Sequence, residues 1–335
     1  MGASHRKVED SNATARWRDG VHISTTSVWC DAYRARDICF VSSADAVKPS
    51  RHGQVIATAE TLALLSRSER RSQPESELSV PPSRPFTLGT VRLELYQTGH
   101  AIGSAGLWLS SESGRVCYSG MVCPRGLGLA GPADTRAAEV LIIAAPYGRA
   151  TYRFPDPEKA AADTIDFCTS VGESGVAVVL VSSAVKGLDV ATHLAKAGLD
   201  VWGARQIHHA ARRLARAGIT LPPVRRFSKT SLKPGRTLVW PTALVDRLPP
   251  LPPGSRVALV SGEAVMPESV ARVGAEVGFA WSNCADHDDL IEYIDATGAR
   301  EVFLTGRHNE ELARALDGRK RRVKPLGPPK QLSLL

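Results

Sequence analysis

Residues Gly175 to Ser182 read GVAVVLVS, eight residues without a charge and four of them valine. A run of this kind matches a strand buried on both faces, as in parallel sheets covered by helices. Its surroundings agree. Asp156 to Val171 has helical spacing with Pro157 in the first turn. Asp189 to Ala197 and Ile207 to Ala217 read as further helices, with Val201 to Gly203 a short strand between them. Strands alternating with helices predict an α/β layer. Leu221 to Pro253, which includes PTALVDRLPPLPP, reads as a proline-rich connection. Strands are expected again at Val257 to Val260, Gly278 to Ser282 and Glu301 to Leu304, and helices at Asp286 to Thr297 and Glu310 to Leu316.

The first 150 residues have another character. Strand-like runs occur at Val21 to Ser24, Ile38 to Ser42, Gln54 to Thr58, Val91 to Tyr96, Leu107 to Leu109, Val116 to Tyr118 and Leu141 to Ala145. Thr61 to Leu65 looks helical, and Arg67 to Ser83 is a polar loop. At 335 residues the chain suits about two domains. With 43% hydrophobic and 23% charged residues, global disorder is excluded. No apolar run reaches the roughly 18 residues of a membrane span, and the N-terminus has no apolar signal core. The six cysteines form no CxxC pair, which points to a reducing cytoplasm. A nucleoid-associated bacterial protein is the expected setting.

Thr98 to Leu107 reads TGHAIGSAGL, a Gly-His followed by a Gly-Ser-Ala turn into a strand. Around it stand WCDAYRARDICFVSSADAV (29–47), VCYSGMV (116–122), LIIAAPYG (141–148), FAWSNCADHDDL (279–290) and EVFLTG (301–306). Taken in order, these blocks resemble the motifs of the metallo-β-lactamase superfamily, in its β-CASP nuclease branch. They look most like the bacterial ligase-associated DNA exonucleases, also known as mRNA 3′-end processing factors. The resemblance covers most of residues 20 to 316. It implies an αββα sandwich (20–150 plus 265–317) with an inserted β-CASP-like α/β domain (151–264). A disordered N-terminus (1–19) and a basic tail (318–335) complete the expected organisation.

Active members of that family hold two metal ions about 3.5–4 Å apart. At the matching positions this chain carries Ser43, Asp45, Val47 and Lys48 in the main motif, Met121 for the bridging Asp, and Ala144 or Ala145 for the acid opening the insertion. Cys284 stands in the Ser-x-His motif and Thr305 replaces the last His; only His100 keeps the family residue. Val47 and Met121 offer no hard donor, and the ammonium of Lys48 repels a cation. Asp45 and His100 fall short of the three or four ligands that one zinc needs. The resemblance therefore implies an inactive nuclease homologue in DNA repair, with no catalytic residue and no metal cofactor. Its alternatives are a residual hydrolase with one Zn or Mn rebuilt on Asp45 and His100, or a regulatory pseudo-subunit of an active paralogue. His100 reads as a structural, hydrogen-bonded histidine, and Cys284 as a small buried residue, a soft-metal ligand or a reactive thiol.

The net charge is +8, and Arg319, Lys320, Arg321, Arg322, Lys324 and Lys330 supply six of it after Gly318 without an acid. Such a stretch either draws the chain to DNA or RNA or merely solvates its end. Arg212 and Arg213, with His208, His209 and Arg216 on one helix, have the same two readings, and Lys48 is expected to meet a phosphate. Gln331, Leu332, Ser333, Leu334 and Leu335 (QLSLL) resemble the pentapeptide that docks in the bacterial sliding clamp, after a Gly-Pro-Pro-Lys spacer. The expected partners are thus DNA (or RNA) and the sliding clamp, with no membrane.

Overall fold

Alternating burial sorts the apolar residues of the strand-rich part onto two sheets. The computed structural model describes residues 14–328 except 25, 47–49, 66–72, 113, 229 and 231. The first sheet holds β1 (Ala15–Trp17), β2 (Val21–Ile23), β3 (Val28–Cys30), β4 (Ile38–Phe40) and β5 (Gln54–Ala57). After α1 (Ala59–Leu64) it closes with β6 (Ser76–Ser79), in the order β1-β2-β3-β4-β5-β6. The second sheet begins with β7 (Phe86–Leu88), β8 (Val91–Gln97), β9 (Ala105–Ser111), β10 (Gly114–Gly120) and β11 (Val140–Ala144).

Next come α2 (Pro157–Val171), β12 (Ala177–Val181), α3 (Ala184–Lys196), β13 (Asp200–Gly203), α4 (Arg205–Arg216), β14 (Arg225–Arg226), β15 (Arg236–Pro241), β16 (Arg256–Val260), α5 (Pro267–Arg272) and β17 (Val277–Phe279). Their strands form a third, wholly parallel sheet, β14-β13-β15-β12-β16-β17. The chain then returns through α6 (His287–Thr297), β18 (Glu301–Thr305), α7 (Asn309–Ala315) and β19 (Arg322–Pro325) to finish the second sheet, β19-β18-β11-β10-β9-β8-β7. The class is mixed α/β.

The first two sheets pack face to face. Ile23, Phe40 and Ile56 of one meet Leu95, Leu107, Ile142 and Phe303 of the other in a single core. Period-two alternation carries the neighbouring residues outward. Leu141, Ile143, Val302 and Leu304 point to the opposite face, where Leu290 and Ile294 of α6 and Leu312 of α7 cover them. Leu62 of α1 covers Cys39, Val41 and Val55 on the outer face of the first sheet. Among the described residues no helix is long and apolar enough to cross a membrane.

Every residue of β12 is buried, as the valine run predicts, because β15 and β16 flank it and helices cover both faces. Four expectations change. The proline-rich segment 221–253 contains β15, which pairs directly with β12. Its six residues are flanked by turn formers, and Pro241 ends the strand, where a missing N–H costs little. The return from the third sheet falls after β17 and not near residue 265, because β17 pairs with β16. The stretch read as a free basic tail forms the parallel edge strand β19 beside β18, and Ala15–Trp17 is a strand within the stretch expected to be disordered.

Leu180→Ala removes most of a fully buried side chain at the centre of the third sheet. It is expected to lower unfolding stability by about 2–5 kcal/mol. Urea unfolding followed by circular dichroism reads that loss, and a change under 1 kcal/mol (roughly the cost of a volume-conserving swap) would contradict the packing described.

Candidate functional site

Three loops and one helix end converge where the facing sheets meet the inserted layer. The loop after β4 brings Ser43 and Asp45, the loop after β8 brings His100, and the segment after β17 brings Asn283 and Cys284. The N-cap of α3 brings Ser183. Asp45 is the hub. Its Oδ1 accepts hydrogen bonds from Ser43 Oγ at 2.7 Å and His100 Nε2 at 3.1 Å, and its Oδ2 accepts one from Ser183 Oγ at 2.9 Å. Ser183 Oγ in turn accepts from the Lys186 backbone N–H, so one hydroxyl caps α3 and ties it to Asp45.

His100 donates from both ring nitrogens. Nδ1 faces the Asn283 carbonyl oxygen at 2.9 Å and Cys284 Sγ at 3.4 Å. A carbonyl can only accept, and so does an ionised carboxylate at Nε2, so both nitrogens carry protons and the ring is an imidazolium. Burial works against that charge, but Cys284 and Asp45 outweigh it and raise the His100 pKa well above the ordinary histidine value. Burial also opposes the Asp45 charge. The imidazolium and the hydrogen bonds from His100, Ser43 and Ser183 win there too, holding its carboxyl well below the usual range.

The chemistry continues on both sides. Cys284 Sγ lies 3.8 Å from Met121 Sδ. Met121 and Thr305 line one cavity of about 220 Å³ together with Asp31, Ser42 and Tyr118. Asp31 accepts from the Ser42 N–H at 2.8 Å, Ser42 Oγ at 2.5 Å and the Tyr118 hydroxyl at 2.7 Å. Burial nonetheless pushes its pKa up. Gly120 closes this corner in the left-handed region at φ 60°, where a Cβ would sit 2.7 Å from Ser42 Oγ. On the other side Lys186 is 2% exposed, with Nζ 4.6 Å from the centre of the Trp281 ring. Burial lowers its pKa, opposed by the carboxylate of Asp189. Asp189 accepts from the Leu129 N–H at 2.7 Å.

Ser43, Asp45, His100, Met121 and Cys284 therefore do come together, and Thr305 lies across the cavity from them. Val47 and Lys48 lie outside the described residues, as do Gln331, Leu332, Ser333, Leu334 and Leu335. Among the described residues no group of three or more His, Cys, Asp and Glu is placed to hold a metal ion. Arg212 is exposed on α4, but Arg213 donates to the Leu64 carbonyl oxygen at the end of α1. Arg319 and Arg321 both pair with Asp295 at 2.5 Å, while Arg322 and Lys324 lie 3.9 and 3.7 Å from Glu301. Lys320 is exposed. The basic segment thus spends part of its charge inside the fold. The residues that sequence reasoning passed over are Ser183, Lys186, Asp189 and Asn283. Ser183 alone left a signal, a Ser directly after a buried strand and before a helix.

No family model matches the chain. Over 326 residues it is 27% identical to a probable DNA ligase of Opitutus terrae, in a match that covers 95% of this chain and 32% of that protein. The chain thus spans about a third of the length of this curated relative. A crystal structure of a protein of unknown function from Enterococcus faecalis V583 matches with a TM-score of 0.58 at 13% identity, over 87% of this chain and 79% of that one. That likeness shows a shared fold alone. These findings correct the sequence reading. The relative carries a DNA ligase name and neither match points to a metallo-β-lactamase, so that family assignment is withdrawn. With it go the inactive β-CASP nuclease, its alternatives and the clamp-recruited repair role.

Asp45→Asn leaves the buried His100 without its counter-ion and is expected to cost about 3–5 kcal/mol. The pH dependence has two limbs. The depressed Asp45 contributes stability fully above about pH 4, lost as pH falls toward its lower folded value. The raised His100 contributes fully below about pH 6.5, lost as pH rises toward its higher folded value. Urea unfolding of both proteins across pH 3 to 9 (about one unit beyond each ordinary pKa and more) should show the largest gap between about pH 4 and 6.5.

Proposed function

We propose that the chain serves DNA strand joining, as the duplex-DNA-binding part of a ligation activity. The observation that carries this is the alignment of 95% of the chain with one third of a probable DNA ligase. A unit corresponding to one third of such a protein has room for DNA binding and positioning, with sealing carried out by the remainder. The polar centre favours that division. Three protein donors already occupy the Asp45 carboxylate, which takes about four in all, so little of it is left for a substrate.

The surface offers a place for the phosphate backbone. Arg205, Arg212 and Arg216 are exposed on α4 at helical spacing, and the helix has no acid. Arg226 on β14 is exposed beside them, since both Arg205 and Arg226 act on the His209 ring and, behind the effect of burial, lower its pKa. Arg225 is partly engaged by Asp200 at 3.5 Å. Such a row positions a protein on DNA without reading its sequence. On this reading the two facing sheets, with α1, α6 and α7 outside them, form one four-layer body, and residues 157–279 form an α/β unit inserted into it. The inserted unit carries the basic face.

Fluorescence anisotropy with a labelled nicked duplex tests the proposal. Binding should weaken steeply with salt, and reversing Arg205, Arg212 and Arg216 to Glu should lower the slope of log K against log salt by about 0.9 for each phosphate that is no longer neutralised. No binding at low salt would overturn the reading. Sealing of the nick by the chain alone would overturn the division of labour and place the joining chemistry within this chain.

A further inference from the structure

Six cysteines are present, and five of them are ordinary buried thiols. Burial pushes Cys30 well up and Cys39, Cys117, Cys123 and Cys168 up to about 12. Cys284 differs in what it faces. Its Sγ stands 3.4 Å from His100 Nδ1, and the same ring holds Asp45 through Nε2 at 3.1 Å. Sulfur, imidazolium and carboxylate thus stand in line, with one ring N–H toward the sulfur and the carboxylate holding the ring from the other side. A protonated ring nitrogen therefore faces one thiol, an arrangement found at reactive cysteines.

Access is narrow. Cys284 is 7% exposed and lines a shallow pocket with Cys123, Arg125, Phe154, Ser282 and Asp289. Its free space of about 10 Å³ holds roughly one water molecule. Arg125 at its rim is held by Asp286 at 3.0 Å and Asp289 at 2.9 Å, so it offers no free charge to a large anionic substrate. The pocket opens to solvent, so a reactant of only a few atoms is what can approach the sulfur.

We propose that Cys284 is a peroxide-reactive thiol, activated by His100 and Asp45, with hydrogen peroxide as its oxidant. The sulfur attacks one peroxide oxygen. An S–O bond forms as the O–O bond breaks, so sulfur gives up two electrons and the peroxide takes them. The departing hydroxide receives the Nδ1 proton of His100 and leaves as water, the thiol's own proton returns to Nδ1, and Cys284 becomes a sulfenic acid. Cys123 in the same pocket is the thiol that can resolve it. Its sulfur displaces the hydroxyl of the sulfenic acid, its proton joins that hydroxyl as water, and a disulfide results. None of these groups lies on the basic face, so the thiol chemistry stands independently of DNA binding.

The test uses the full chain carrying Cys123→Ser, exposed to hydrogen peroxide, quenched with catalase, unfolded in urea containing dimedone to trap sulfenic acid, and read by peptide mass spectrometry. One adduct is expected, at Cys284. Adding His100→Asn removes the proton donor to the departing hydroxide and should slow labelling about 100-fold. Asp45→Asn, which keeps a hydrogen-bonding side chain, should slow labelling less, and thermal unfolding of each variant establishes that it folds. Labelling spread over several cysteines, or a rate at Cys284 unchanged by His100→Asn in a folded protein, would overturn the proposal.

Discussion

A charged pair with little access to water holds the parts of this molecule to one another. Asp45 and His100 come from two loops of the facing-sheet body, Ser183 from the inserted layer, and all three share one carboxylate. Removing two opposite charges from water is costly, and only close contact with further hydrogen bonds recovers the loss. Here the extra bonds come from Ser43, Ser183 and the Asn283 carbonyl. Because each partner belongs to a different segment, satisfying the pair also sets where β4, β8, α3 and the segment after β17 stand relative to one another.

The apolar layers make that convergence possible. Leu141, Ile142 and Ile143 alternate between two cores, and so do Val302, Phe303 and Leu304. The loops at the ends of β4, β8 and β10 thereby emerge side by side, next to the end of β12 and the start of α3. The sulfur of Cys284 reaches His100 from the far side of the same junction. A DNA-binding role and a reactive thiol place different demands on this frame. The first uses the exposed arginines of α4, and the second uses groups that the frame buries.

Much of the architecture was legible because burial has a period. The valine run of β12 and the helices α2 and α6 appear in the structure where spacing places them, and Asp156 and Asp286 cap the two helices. The capping carboxylates accept the backbone N–H bonds that a helix start leaves free. What stayed hidden depended on partners distant in sequence. The β15 segment looks like a loop because prolines and glycines surround it, and only its pairing with β12 and β13 makes it central. The basic residues after Gly318 look like a tail that meets nucleic acid or solvent until Asp295 and Glu301 appear beside them. The family reading failed for another reason. Short blocks in a plausible order suggested a nuclease, while the relative matched along nearly the whole chain is a probable DNA ligase.

By itself the sequence determined the class of fold, the absence of a long apolar helix and the identity of several groups that meet at the centre. Ser43, Asp45, His100, Met121 and Cys284 could be singled out from residue type and local pattern. The tertiary structure decided what those groups do to one another. Whether a histidine is an imidazolium depends on what stands at each nitrogen, and here those neighbours lie 55 and 184 residues away. Charge states, counter-ions and access to solvent arise from distances across the fold, and local spacing carries no record of them.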